Sequence, residues 1–388
     1  MTELYLLDRR LERTFGPIDD FVSLVWTERY FENGTFTLVL PLSRALFSAV
    51  MEARFLEVRG HSGLGRIEKV RFSGPDGTGH LTVSGRMAES LLGDRILPRG
   101  TVVSGALCQS LEALVEANAC AGAGERAIPG LHVLSGVPTG AESLIMHEFP
   151  GGKQLDAFLY TVLGEHGMSY RVTLNADGTA LQFFLVRGLD RTQAQEENSF
   201  AVFSTSFSTI GEISFLYDTE DHRNYAVIAG EGEGEARVEV TLDLRTSPDE
   251  ELRELFVDAR DLRSVSGGTA MGAQAYRNLL LARGRERLSA RSRIAQVSGT
   301  AAAYAVPEET AGTDGRAVHG GSMMAGVDYA LGDLCDISSE SLGTVWSERV
   351  TEITYIYEGR FVRIEPRFGT AYPDLRTYIK RAGTHCVL

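Results

Sequence analysis

The chain has 388 residues, 52 of them acidic and 38 basic, for a net charge of −14, and 43% are hydrophobic. That length suggests about two to four domains, each with enough apolar residues to bury a core. The acidic balance excludes a nonspecific nucleic-acid binder, because neutralising phosphates needs clustered Lys and Arg.

Residues 1 to 100 read as a small β-domain. Strands are predicted over Leu4 to Leu7, Phe21 to Tyr30, Phe36 to Leu40, Phe55 to Val58, Arg66 to Phe72 and His80 to Ser84. Asn33-Gly34 marks a tight turn between two of them, and Gly74-Pro-Asp-Gly a turn between another pair. Short helices are expected at roughly 43 to 51 and 86 to 92.

The pattern becomes helical from about residue 101. Ser104 is the expected cap of a helix whose apolar residues Leu107, Leu111, Leu114 and Val115 fall at helical spacing. A Gly-rich loop at 121 to 125 and an irregular stretch to Phe149 follow. Leu155, Phe158, Leu159, Val162 and Leu163 form the stripe of a second helix, stopped by Gly164. Met168 to Leu174 and Leu181 to Val186 then alternate around an Asn-Ala-Asp-Gly turn, a hairpin.

Strands return at roughly 199 to 206, 211 to 217, 223 to 229 and 236 to 243. Pro248-Asp-Glu-Glu-Leu reads as a helix start, with acidic residues in the first turn. The longest helix is predicted over 270 to 292, with Ala273, Tyr276, Leu280 and Leu288 as its buried stripe. Arg277, Arg283, Arg285, Arg287, Arg291 and Arg293 lie on or just beyond its polar face. Final strands begin near Arg293 and surround a Gly- and Thr-rich acidic loop at 307 to 321. From Gly332 to Gly369 three strands are expected, because Ile353, Tyr355 and Tyr357 alternate with polar neighbours and a Glu-Gly turn leads into Phe361, Val362 and Ile364.

The fold class is thus α+β and mostly β, with two barrel-like β-domains and α/β and helical insertions between them. The boundaries fall at 1–100 for the first β-domain, 101–195 for an α/β insertion and 196–388 for the second β-domain, which carries a helical insertion at about 248–292. The N-terminus shows no secretory signal, and no stretch approaches the roughly 18 apolar residues of a membrane span. Cys108 and Cys120 on one helix stand about 18 Å apart and cannot pair. Cys386 is one position too late for a prenylation box. A soluble protein made in a cytoplasm is expected.

The motifs of chemistry are weak. Glu231, Glu233 and Glu235 in Gly230-Glu-Gly-Glu-Gly-Glu235 offer carboxylates for a hard cation, but they lack the ligand pattern of a calcium loop, and an exposed acidic turn is the simpler reading. The eight histidines are dispersed, and no Cys-x-x-Cys, His-Glu-x-x-His, Gly-x-Ser-x-Gly or phosphate-binding Gly loop occurs. The expected catalytic, cofactor and metal residues are therefore none. Trp26 and Trp346 are expected as core or interface anchors, and the arginine-rich face as solvated or paired with acidic residues.

Several blocks in order carry a resemblance. Phe15-Gly-Pro-Ile-Asp19 with Ser23-Leu-Val-Trp-Thr-Glu-Arg-Tyr30, Gly34, Phe36 and Pro41 comes first; Val83-Ser-Gly-Arg86 with Leu91-Leu92 and Arg95-Ile96 follows. Asn224 to Ile228 running into Gly230-Glu-Gly-Glu-Gly234 is the third, and Gly332-Asp333 through Phe368-Gly369 the fourth. Together they resemble the tail-hub family of siphophages and prophages, related to the baseplate hubs of contractile tails. Residues 101 to 150 and 301 to 321 match no named block. The resemblance implies a virion structural protein rather than an enzyme, assembled in the host bacterial cytoplasm and placed at the tail tip. It implies a homotrimeric ring that meets the distal tail protein or tail tube ring, the tape-measure protein and tip or receptor-binding proteins. DNA would pass through its opening without specific binding, past an acidic wall that repels phosphates. Lytic activity, where present, would sit on another subunit. Two alternatives stay open: a tail-associated cell-wall hydrolase, and the hub of a phage-derived injection system or tailocin.

Overall fold

In the computed structural model, which describes residues 2–74, 79–136, 144–148, 152–266, 269–299, 304–305, 323–359 and 361–369, the N-terminal alternation pairs into antiparallel strands. These are β1 (Leu4–Leu7), β2 (Arg13–Ile18), β3 (Ser23–Arg29), β4 (Thr35–Pro41), β5 (Phe55–Val58), β6 (Leu64–Ser73) and β7 (His80–Met87). Residues two apart share a face, so Leu24, Trp26, Leu38, Leu40, Leu81 and Val83 enter one core. Helix α1 (Arg44–Glu52) links β4 to β5 and is capped by Ser43, whose Oγ accepts the Leu46 N–H at 3.1 Å. Strand β2, which contains Pro17, is not among the predicted strands. It forms because it is a terminal strand, where the missing N–H leaves no ladder bond unmade. The helix expected at 86–92 is a 3₁₀ turn over Ala88–Asp94. The turn read at Gly74 lies, from Pro75 onward, outside the described residues.

The next segment carries β8 (Val102–Ala106), α2 (Leu107–Ala119), β9 (Leu131–Val133), β10 (Leu144–Glu148), α3 (Leu155–Glu165), β11 (Met168–Leu174) and β12 (Leu181–Arg187). The predicted stripes of both helices are buried, and they share a core with Leu7, Phe55 and Leu64 of the first strands. Ser104 does not cap α2. It lies within β8, and its carbonyl accepts the Ser110 hydroxyl. Gly164 does not stop α3, which runs one residue further before His166 ends it. Residues 121–126 form a short 3₁₀ segment instead of an open loop.

The remaining strands are β13 (Val202–Ser204), β14 (Ile213–Asp218), β15 (Tyr225–Ala229), β16 (Glu239–Asp243), β17 (Glu254–Asp258), β18 (Val265–Ser266), β19 (Thr269–Ala270), β20 (Ile294–Gly299), β21 (Tyr304–Ala305), β22 (Leu334–Ser339), β23 (Thr344–Glu358) and β24 (Phe361–Gly369), with α4 (Ala273–Ser289) before β20. Helices do not resume at Pro248. The acidic stretch is a turn in which Glu250 accepts the Thr246 N–H at 2.9 Å, and the chain then enters β17, parallel to β15. Helix α4 packs Tyr276, Leu280, Gly284 and Leu288 toward the three-stranded sheet β16-β15-β17, while Ala273, expected in the stripe, is exposed. This unit leaves the chain at Asp218 and returns at Ile294, two residues that face each other across the β14–β20 ladder. The loop read at 307–321 and the C-terminal Cys386 lie outside the described residues.

The fold is α+β and mostly β, and its two β-regions share one sheet. The path runs β14-β20-β24-β23-β3-β4-β7-β6-β5-β1-β2, with β13, β21 and β22 branching from it. The 15-residue β23 joins the regions: residues up to Arg349 pair with β22, and Glu352 to Glu358 pair with β3. Among the described residues no ladder closes the path, which ends at β2 and at β14.

Candidate functional site

Tyr30, at the end of β3, is fully buried at a junction of the first sheet, the segment after β12 and the start of β22. Its hydroxyl accepts the Gly188 N–H at 3.2 Å and donates to the Val186 carbonyl at 3.2 Å. Its own carbonyl accepts the Ser169 hydroxyl. Here the two glycines are obligatory: a Cβ on Gly188 would collide with the Gly332 carbonyl, and Gly332 sits at φ +99° with the Tyr30 ring where a Cβ would be. Next to them the buried Asp333 carboxylate accepts the Leu189 N–H at 2.8 Å, the Ala330 N–H at 2.9 Å and the Arg191 Nε–H at 2.7 Å. The Gly332-Asp333 pair singled out in the sequence is therefore a joint.

A cavity of about 580 Å³ opens beside this joint, where the β5–β6 turn reaches the β3–β23 seam. His61, almost fully buried in that turn, faces Glu28 Oε1 at 3.2 Å through Nδ1 and the Tyr357 hydroxyl at 2.6 Å through Nε2. An ionised carboxylate only accepts, so Nδ1 carries a proton toward Glu28, while Nε2 and the Tyr357 hydroxyl share the second hydrogen bond. Trp26 Nε1–H donates to the same Glu28 oxygen at 3.1 Å, and the Tyr355 ring meets His61 edge-on with centroids 4.5 Å apart. Burial alone would raise the Glu28 carboxyl. The His61 hydrogen bond, the Arg171 charge and the Trp26 N–H outweigh it and hold Glu28 below the usual carboxylate range. Burial, reinforced by the Glu28 charge, pushes the Tyr357 hydroxyl up to about 12. Arg171 reaches the cavity from β11, donates to the Arg29 carbonyl at 3.1 Å and stands 3.5 Å from Glu89, whose carboxyl burial pushes up. Glu3 lines the rim and is held down by its hydrogen bond from Arg59 at 2.7 Å. Sequence reading dismissed His61 because its partners lie on strands far away in the chain; the Gly-flanked turn that carries it was its only trace.

The other singled-out residues separate. Glu231 is absorbed locally, accepting the Ser264 N–H at 3.2 Å, while Glu233 and Glu235 are exposed. No group of three His, Cys, Asp or Glu poised for a metal occurs among the described residues. On the arginine face Arg283 pairs with Asp261 at 2.9 Å, whereas Arg277, Arg285, Arg287 and Arg293 are exposed. Arg285 and Arg293 line a second cavity of about 730 Å³ that also holds Glu165 and Glu250. Trp26 lies in the core. Trp346 stacks on Phe215 with centroids 5.0 Å apart, at the β14 end of the sheet. There Phe215, Leu216 and Tyr217 are all exposed, and among the described residues β14 pairs with β20 alone.

This architecture is that of known tail proteins. A tail protein from Neisseria meningitidis MC58 superimposes with a TM-score of 0.53 at 11% identity, covering 95% of this chain and 96% of that one. The 43 kDa tail protein of prophage MuSo2 from Shewanella oneidensis does so with 0.52 at 13% identity, over 94% and 98%. No curated protein sequence matches the chain. A family model described as Siphovirus ReqiPepy6 Gp37-like protein matches residues 3–370. The chain therefore belongs to that siphovirus family, in agreement with the tail-protein resemblance in its sequence, and has the fold of phage tail proteins.

Proposed function

We propose that this chain is a structural hub at the tail tip, working through its interfaces as a homotrimeric ring. The observation that carries the reading is the single sheet spanning both β-regions, guarded at one terminal strand and left open and apolar at the other. A subunit that must hold neighbours in register needs such a stiff frame and an unfilled edge. The division near residues 100 and 195 belongs to this reading, as do the contacts with the distal tail or tube ring, the tape-measure protein and the tip proteins. The net charge of −14 suits a wall past which DNA slides without sticking.

A cell-wall hydrolase is less well supported. Glycoside hydrolysis needs one carboxylic acid held protonated by a raised pKa. Both carboxylates lining the His61 cavity are instead shifted down; a carboxyl pushed up by burial, Glu165, lines the second cavity, so a hydrolase would have to work there.

Negative-stain electron microscopy of the purified chain tests the proposal. Threefold rings with a central hole are expected, with each contact burying more than about 1,000 Å². Monomers at all concentrations, together with release of fragments from purified cell wall, would replace the hub with an enzyme.

A further inference from the structure

Residues 219–293 hang from the rest of the chain by a two-stranded neck. Strands β14 and β20 lead into and out of the unit side by side, and their last ladder pair is Asp218↔Ile294. Beyond that pair the unit has a core of its own, built by Ile228, Val240, Val257, Leu262, Tyr276 and Leu280. Among the described residues, none of 219–293 enters the other three core clusters, so no shared core fixes how the unit sits. Where α4 approaches α3, open space separates them. The cavity of about 730 Å³ has Glu165 and His166 on the α3 side and Asn278, Ala282 and Arg285 on the α4 side. Another, of about 500 Å³, is lined by Tyr160 and Gly164 of α3 and by Ser289 and Ser292 near the neck. A bridge across this gap is ionic: Lys153 Nζ, just ahead of α3, donates to Glu286 Oε1 of α4 at 2.9 Å.

A body with its own core, a narrow tether and a gap toward its neighbour moves as a unit, because displacing it breaks no shared core. The side chains of Lys153 and Glu286 are 29% and 42% exposed, so solvent screens the pair and it holds weakly and reversibly. Arg283 Nε of the same helix lies 3.8 Å from the Glu286 carboxylate, which therefore keeps a partner when Lys153 lets go. We infer that residues 219–293 are an arm that swings about the β14–β20 neck, with the Lys153–Glu286 pair as its latch. This structure holds the latched position; release parts α4 from α3 and widens the cavity between them. On the arm side the two links are tied, since the Arg223 N–H donates to the Arg291 carbonyl at 2.9 Å. The bend falls between that tie and the Asp218–Ile294 pair, where no strand or helix stiffens the chain. The arm belongs to one subunit, so it stands whether or not the chain forms a ring.

The test reads single-molecule energy transfer in the full-length chain. Azidophenylalanine replaces Asp177, in the β11–β12 turn, and Asp249, on the arm, both exposed, and carries the two dyes without touching the native cysteines. Labelled chain is diluted into unlabelled chain, so the signal comes from one copy even inside an assembly. Two populations are expected, and raising salt from about 0.05 M to about 0.5 M should favour the one that is minor at low salt. Lys153→Ala should raise the ratio of that state to the latched one about two- to fivefold at low salt, and Lys153→Arg should leave it unchanged. Hydrogen exchange at Tyr225–Ala229 checks that the arm stays folded throughout. One population, insensitive to salt and to Lys153→Ala, would overturn the swing. Two populations whose ratio Lys153→Ala leaves unchanged would overturn the latch. Loss of protection at Tyr225–Ala229 in step with the second population would overturn the arm, since the unit would then be unfolding rather than swinging.

Discussion

At one end of the sheet, β2 sets Arg13 in a 2.6 Å ion pair with Glu57 and lays its guanidinium over the Tyr5 ring. Pro17 removes a donor from the same strand, and its pairing with β1 slips register twice. At the other end, β14 shows Phe215, Leu216 and Tyr217 to the surface on a regular ladder with no guard at all. Both strands terminate the same sheet, so the difference is not imposed by the fold. A guarded edge is one where assembly must stop; an unguarded edge is one that is never meant to be alone. The contrast gives the sheet a direction, as the proposed ring of like subunits would require.

The largest effect should come from breaking what the two edges share. Gly188→Ala drives a Cβ into the Gly332 carbonyl at the joint and should cost about 3 kcal/mol or more of unfolding free energy. A urea midpoint near that of wild type would show that the edges do not depend on the joint. The second effect exchanges the rules: Arg13→Val with Pro17→Val strips the guards from β2. Concentration-dependent association well beyond the wild-type assembly is then expected by light scattering, and its absence would mean that charge and proline are incidental there.

A smaller loss is expected at the seam that makes the two regions one sheet. His61→Ala leaves Glu28 and the Tyr357 hydroxyl without their shared partner, which should cost about 1–3 kcal/mol in chemical denaturation. An unchanged stability would reduce His61 to packing. The smallest effect is in acid. Glu28 is held below the ordinary carboxylate range in the folded state, so its contribution is present above that range and disappears as the pH falls through its lowered value. Glu28→Gln should therefore flatten the acid limb of the stability profile, measured between neutral and acid pH. A steeper limb in the variant would contradict the sign of the shift.

Where burial was written as a period, the sequence was legible. Leu24, Trp26 and Leu38 alternate and pair as expected, and Leu155 to Leu163 form the stripe that α3 buries. Local signals failed where a distant partner decided the outcome. The acidic run after Pro248 reads as a helix start, but β15 offers Leu255 and Val257 a parallel ladder. Ser104 has the chemistry of a cap and lies in a strand, because β10 pairs with that stretch. Pro17 hides a strand that only the edge position permits. The joint was half legible: Tyr30 and Gly332-Asp333 stood in two of the quoted blocks, while Gly188 did not, and nothing in the sequence brought the three together.

By itself the sequence determined the mostly β class, the order of blocks that places the chain among siphovirus tail proteins, the acidic charge and the faces of its longest helices. These are matters of composition and of period, which neighbouring residues settle among themselves. The tertiary structure alone decided that two β-regions share a sheet through β23, that His61 meets Glu28 and Tyr357, and that β14 ends the sheet among the described residues. A strand's sequence states which face it buries, but whether its backbone is paired on one side or both depends on what the rest of the chain brings alongside.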